Sequence, residues 1–148
     1  MPPYCTPQDI IDRVGAVEVA QLAPATPGPI DTARVQRACD DAADLVDGYL
    51  RKRHALPLSA IPPILRKLSV AIARYELHLG GDRQPTDQVR RDRDDALAWL
   101  KDVANGRADL PPDALGAEPA KDSSRVRGSK APPGFTEADL LAYRGGAP

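Results

Sequence analysis

This chain of 148 residues sets 20 Lys and Arg against 21 Asp and Glu, with a sequence pI of about 6.1. With no basic excess, it lacks the electrostatic footprint of a protein that grips duplex DNA through its phosphates. One Trp, one Phe and four Tyr leave Ala, Leu and Val to fill the core, which suits close-packed helices, and no run of β-branched and aromatic residues at period two marks a sheet.

The first helix is expected to open at Thr6-Pro7-Gln8-Asp9. Thr6 suits the N-cap, Pro7 the first helical position, and Asp9 the positive end of the helix dipole. Ile10, Ile11 and Val14 are its apolar residues and Gly15 its stop. A short second helix follows over 16–23, and Pro24, Pro27, Gly28 and Pro29 then impose a loop. Asp31 can cap a third helix over 32–53, whose apolar stripe is Val35, Ala38, Cys39, Ala42, Leu45, Val46, Tyr49 and Leu50. Its opposite face is acidic: Asp40, Asp44 and Asp47, with Asp41 beside them. Residues 56–63 contain Pro57, Pro62 and Pro63 and read as a stiff connector.

The fourth helix is expected over 63–79. Its main stripe is Ile64, Leu65, Leu68, Ala71, Ile72, Tyr75 and Leu79, and a second stripe of Val70, Ala73 and Leu77 lies on the other side. A helix apolar on two faces is covered on both, either at the centre of its own domain or by a neighbouring subunit. Thr86 caps a fifth helix that runs to Asn105, with Gly106 as its stop. Trp99 falls about 100° from Leu100 round this helix, on the flank of the core stripe, where either the chain's own core or a neighbour can cover it. The run Arg90-Arg91-Asp92-Arg93-Asp94-Asp95 mixes signs, the pattern of a solvated face, or of a subunit contact in which charge selects the neighbour.

Residues 1–106 therefore read as an all-α bundle of about five helices, and 107–148 as an extended tail rich in Pro, Gly, Ser and charge. Such a segment has too little apolar surface to offset the entropy of ordering it and is expected to take its shape from a partner. It carries a basic cluster, Arg125, Arg127 and Lys130 (with Lys121). One short amphipathic motif follows over 135–143, with Thr136 as cap and Phe135, Leu140, Leu141 and Tyr143 as apolar anchors. The basic cluster reads either as a solubilising linker or as a contact with an acidic protein surface or passing DNA, and the apolar anchors that follow favour protein.

Sites of chemistry are not expected. His54 and His78 lie apart, Cys5 and Cys39 form no CxxC or Cys/His cluster, and neither a phosphate-binding glycine loop nor a nucleophile elbow occurs. Cys39 sits on an apolar helix face, where a free thiol acts as a small hydrophobe. The start MPPYCTPQD lacks the basic and apolar regions of a secretory signal, and no stretch has the apolar length of a membrane span. The expectation is a non-enzyme, without metal or cofactor, folded in a cytosol.

Several of these residues share one pattern. Tyr4-Cys5-Thr6-Pro7-Gln8-Asp9-Ile10-Ile11-Asp12-Arg13-Val14-Gly15 resembles the Y-x-T-x-x-D-L-I-x-R-F-G opening of Mu-like phage head–tail connector (adaptor) proteins, with Val14 in place of the usual Phe. The likeness continues through Asp47-Gly48-Tyr49-Leu50, Leu56-Pro57-Leu58, Ile61-Pro62-Pro63-Ile64-Leu65, Ala73-Arg74-Tyr75, and the stretch from Asp95 to Ala104. The resemblance implies an all-α adaptor of a tailed phage, prophage or gene-transfer particle. Such an adaptor forms a ring, commonly dodecameric, below the portal protein. It joins the head to the stopper or tail-completion protein and leaves a channel for double-stranded DNA, touched only transiently and without sequence preference. It implies assembly in the host bacterial cytoplasm, residence at the head–tail interface of the virion, and no membrane.

Under that implication, the tail residues Arg125, Arg127, Lys130, Phe135, Leu140, Leu141 and Tyr143 would grip a partner, the portal first. Val70, Leu77, Arg90, Arg93 and Trp99 are candidates for contacts between subunits, and Asp40, Asp44 and Asp47 for the channel wall. The alternatives are a small helical DNA-binding regulatory or packaging module, which needs a recognition helix with exposed basic side chains, and a helical interaction domain that binds one soluble partner.

Overall fold

The computed structural model describes residues 3–81 and 83–115 of the chain. Five α-helices and no strand are found among them: α1 (Pro7–Val14), α2 (Ala16–Leu22), α3 (Thr32–Leu50), α4 (Pro63–Leu79) and α5 (Asp87–Asn105), followed by a 3₁₀ turn, Pro112–Ala114. The fold is a small all-α bundle. The expected helix over 135–143 lies outside the described residues.

Local chemistry sets the helix ends. The Thr6 hydroxyl accepts from the Asp9 amide at 3.2 Å, and the Asp9 carboxylate accepts from the Thr6 amide at 2.9 Å, which completes a capping box. Partial burial pushes the Asp9 carboxyl up, but the hydrogen bonds from Thr6, with Arg66 and Arg13 nearby, outweigh it and hold the group below its ordinary value. Asp31 caps α3 through the Arg34 amide at 3.0 Å, and Thr86 caps α5 through the Val89 amide at 3.4 Å. Gly15, at φ 99°, separates α1 from α2, a backbone conformation that side chains with a Cβ resist. The third helix ends at Leu50, short of the expected Arg53: residues 51–53 form a turn.

The long helices α3, α4 and α5 pack on one another, and α1 packs on α3 and α4. The core runs through Val35, Val46, Leu50, Leu65, Ile72 and Leu100, each with 0% exposure. α4 is the central helix: Leu65, Leu68, Val70, Ile72, Ala73 and Leu77 are all buried, so the second apolar stripe and most of the main one are covered within the chain, while Leu79 at the end of the main stripe stays 59% exposed. Within the chain, Val70 and Leu77 are both covered, and Val70 keeps one edge on a groove between α1 and α5. They lie 5% and 1% exposed.

Two arginines tie the helix ends together. Arg34, in the first turn of α3, donates to the Leu77 carbonyl at 3.4 Å, near the C-terminal end of α4. Arg53, just beyond α3, donates to the Val103 carbonyl at 3.4 Å near the end of α5, and pairs with Asp109 at 3.0 Å. Each guanidinium meets the negative end of a helix dipole, and at Val103 it joins the Gly106 amide on the same carbonyl. The Arg53 guanidinium stands 3.1 Å from where a Cβ on Gly106 would sit, and Gly106 has φ 77°, a left-handed stop that favours glycine.

Ordered contacts with the helices continue past Gly106, into the tail expected from residue 107. Arg107 and Ala108 donate backbone hydrogen bonds to the Asp102 carbonyl, Leu110 and Ala114 are buried, and the Ser59 amide bonds the Ala114 carbonyl at 3.1 Å. Those two apolar side chains hold residues 107–115 against the bundle, and the compact unit spans Met1–Ala117.

Candidate interaction surface

A furrow runs along α4 on the side away from α3. α1 and α5 both lie against α4 and leave a gap between them. The first part of this gap is a groove of about 530 Å³. Val70 and Ala71 of α4 form its floor, Arg13 and Val14 of α1 one wall, and Asp95, Ala96 and Trp99 of α5 the other. The second part, about 490 Å³, continues beside α2 to His78 and Arg83, and the two parts share Val14 and Arg74.

Arg74 spans the furrow at its middle. Its Nε donates to the Glu18 carboxylate of α2 at 2.7 Å, and its Nη1 lies 3.9 Å from the Asp92 carboxylate of α5. One guanidinium therefore staples both walls to the central helix. Arg93 is spent in a similar way: it stacks 4.5 Å from the centroid of the Tyr75 ring, a cation–π contact between α5 and α4. Arg90 is exposed. Trp99 is half-buried, packed on the core at one edge and lining the groove at the other. Arg13 and Lys67, which border the groove, have no carboxylate within 4.0 Å among the described residues.

The acidic face of α3 is divided by the fold. Asp40, Asp41 and Asp44 are exposed, as expected, and Asp40 accepts only a hydrogen bond from Gln36 at 2.9 Å. Asp47 departs from the expectation. It is 2% exposed and accepts a short hydrogen bond from the Tyr4 hydroxyl, so it sits under the N-terminal segment rather than on an outer face or a channel wall. The physical reason is coverage from afar: Tyr4, itself 6% exposed, closes over the edge of α3 where Asp47 lies. Burial first, and then the hydrogen bond and charge of Asp47, push the Tyr4 hydroxyl well above its ordinary value. Next to this pair, Cys5 packs against Cys39. Both thiols are free and buried, and the Cys5 contact together with burial pushes the Cys39 thiol up, far from the reactive thiolate.

No group of three or more metal-ligating side chains converges among the described residues, and none of the described helices is long and apolar enough to cross a membrane. His78 is buried and donates from Nδ1 to the Arg74 carbonyl at 2.8 Å, which is a packing role. Arg125, Arg127, Lys130, Phe135, Leu140, Leu141 and Tyr143 lie outside the described residues.

With this geometry in view, comparison with known proteins is decisive on kinship. Residues 4–128 match the family described as Bacteriophage Mu, Gp36. The chain belongs to that family. Two relatives stand out. The Mu-like prophage FluMu protein gp36 of Haemophilus influenzae is 40% identical over 81 residues, 55% of this chain and 55% of that protein. Gene product J of Escherichia phage Mu is 30% identical over 109 residues, 74% of this chain and 75% of that protein. The first alignment thus spans about half the length of either partner. The family match covers all five helices and the turn after them and runs on to residue 128, so this is a Mu-like phage protein.

Sequence reasoning missed the residues that tie this unit together. Arg74 was legible only as a member of the Ala73-Arg74-Tyr75 pattern. Its partner Glu18 lies 56 residues away, and Tyr4 and Asp47 are 43 apart, separations at which no local signal operates.

Proposed function

We propose that this protein is a structural head–tail connector of a phage or phage-like particle. Copies of it form a ring below the portal, join the head to the stopper or tail, and leave a passage for DNA. The observation that carries this reading is membership of the Mu Gp36 family across the whole helical unit, together with the connector-like pattern from Tyr4 to Gly15 within it. The surface agrees with an assembly role: the polar residues inside serve packing and helix ends, and an open furrow remains on one side of the bundle.

In this reading the segment beyond Leu115 is the clip that reaches an adjoining protein, the portal first. Burying Phe135, Leu140, Leu141 and Tyr143 would gain about 1.5–3 kcal/mol each. Ordering the residues that carry them costs about 1–2 kcal/mol apiece. A single clip therefore binds weakly, whereas a ring that presents many clips makes each later attachment effectively intramolecular. The test is deletion of residues 117–148, followed by binding to the purified portal of the same phage and by counting of tailed particles. Attachment should fall sharply while the helical unit still folds; undiminished attachment refutes the clip. Rings of this protein between portal and tail in a particle reconstruction support the connector, and their absence from that position overturns it.

A further inference from the structure

The groove beside Trp99 and the outer face of α3 lie on different sides of the molecule. At 3.6 residues per turn, Glu76 falls about half a turn round α4 from Lys67 and Arg74. Lys67 and Arg74 line the groove, and Glu76 lines the depression between α4 and α3 with Arg37 and Asp41. The two surfaces are also complementary in charge. The groove carries Arg13 and Lys67, both exposed and without an acidic partner among the described residues, and Arg74 beside Asp92, against one further exposed carboxylate, Asp95, on the α5 wall, so its balance is cationic. The middle of α3 presents Asp40, Asp41 and Asp44, exposed and without a cationic partner among the described residues. One turn after Asp44 comes Gly48, exposed, with open space where a Cβ would stand, so a flat side chain can approach the helix backbone there.

We infer that the groove between α1, α4 and α5 receives the outer face of α3 from a second copy of this chain, with Arg13 and Lys67 meeting Asp40, Asp41 and Asp44, and the Trp99 indole lying over Gly48. A contact between two different patches of the same molecule is head-to-tail, and its repetition closes into a ring when the rotation between copies permits. The groove volume accommodates a few side chains rather than a whole helix, so the contact is a charged seam with one aromatic anchor. This inference rests on the connector reading and names the surface through which its ring would form. It also takes Asp40 and Asp44 away from the channel wall and places them between subunits.

Charge reversal in the purified full-length protein tests it. Two variants, Arg13→Glu/Lys67→Glu and Asp40→Lys/Asp44→Lys, alter exposed positions, and circular dichroism confirms that each is folded. The wild type should self-associate as concentration rises and salt falls in sedimentation velocity. Trp99 is the sole Trp, so its emission should shift to the blue as copies cover it. Each variant alone should associate about tenfold more weakly or worse, and an equimolar mixture of the two should regain association, because opposite charges meet again across every contact. Carbodiimide coupling of wild-type copies should join Lys67 to Asp40, Asp41 or Asp44 between molecules. A wild type that stays monomeric at millimolar concentration, variants that associate normally, or a mixture that does not recover overturns the interface. Rings whose cross-links fall elsewhere, with Asp40 and Asp44 on the channel wall, overturn this contact and leave the connector reading standing. Loss of portal attachment or of ring position in the particle bears on that reading alone.

Discussion

The two sides of α4 are treated differently by the same chain. The side towards α3 is the more closed: Ala38 of α3 and Leu77 of α4 are buried, Arg34 reaches across to the Leu77 carbonyl near the end of α4, and a smaller depression of about 370 Å³ remains beside Glu76. The side between α1 and α5 is bridged only at Arg74, which leaves Trp99 half-buried and Arg13 and Lys67 exposed above an apolar floor. The closed side is where the chain's stability resides, and the open side is where surface remains for another molecule. An apolar floor rimmed by charge is what an interaction site needs, whereas a fully covered stripe has already been spent on folding.

This contrast can be broken most forcefully on the closed side. Leu77→Ala removes a buried side chain and leaves a cavity, and should cost about 2–5 kcal/mol in urea or thermal unfolding. A loss near zero would mean that Leu77 is exposed in the free chain, and the distinction between the two sides would collapse. Tyr4→Phe comes next. It strips the buried Asp47 carboxylate of its hydrogen-bond donor and should cost about 1–3 kcal/mol. The same pair has a pH signature. The folded chain holds the Tyr4 proton more tightly than the unfolded chain, whose tyrosine titrates near 10.0. The stabilisation is therefore fully present below pH 10 and is lost as pH rises above it. Alkaline unfolding curves of Tyr4→Phe should lack that component.

Smaller effects sharpen the comparison. Arg34→Ala, which opens the C-terminal end of α4, should cost about 0.5–1.5 kcal/mol, read as a lowered unfolding midpoint. On the open side, Lys67→Glu should change the stability of the isolated protein by no more than about 0.5 kcal/mol, because its charge rests in solvent. A large loss there would show that Lys67 is part of the folded framework rather than of a surface kept for a partner.

The elements themselves were legible in local chemistry. Thr6, Asp31 and Thr86 each sit where a helix begins, Gly15 and Gly106 where one ends, and the start of α4 at Pro63 and its end at Leu79 follow from the proline that opens it and the glycine that closes it. Even the two-sided apolarity of α4 could be read, although it left open whether the chain's own fold or a neighbouring subunit covers the second stripe. Asp47 shows where such reading fails. Its position on α3 looks like that of Asp40 and Asp44, yet the chain's fourth residue folds back over it. Nor does local pattern show that Leu110 and Ala114 are buried, or that the Ala114 carbonyl accepts from the distant Ser59 amide.

Helix boundaries, the apolar stripes and the kinship with Mu Gp36 were thus written in the order of residues, because capping, periodicity and motif spacing act over a few positions at a time. Which carboxylate is inside, which arginine closes which helix, and which side of α4 stays open arose from packing. Those outcomes depend on contacts between segments about forty to sixty residues apart, and such contacts exist only once the helices have met.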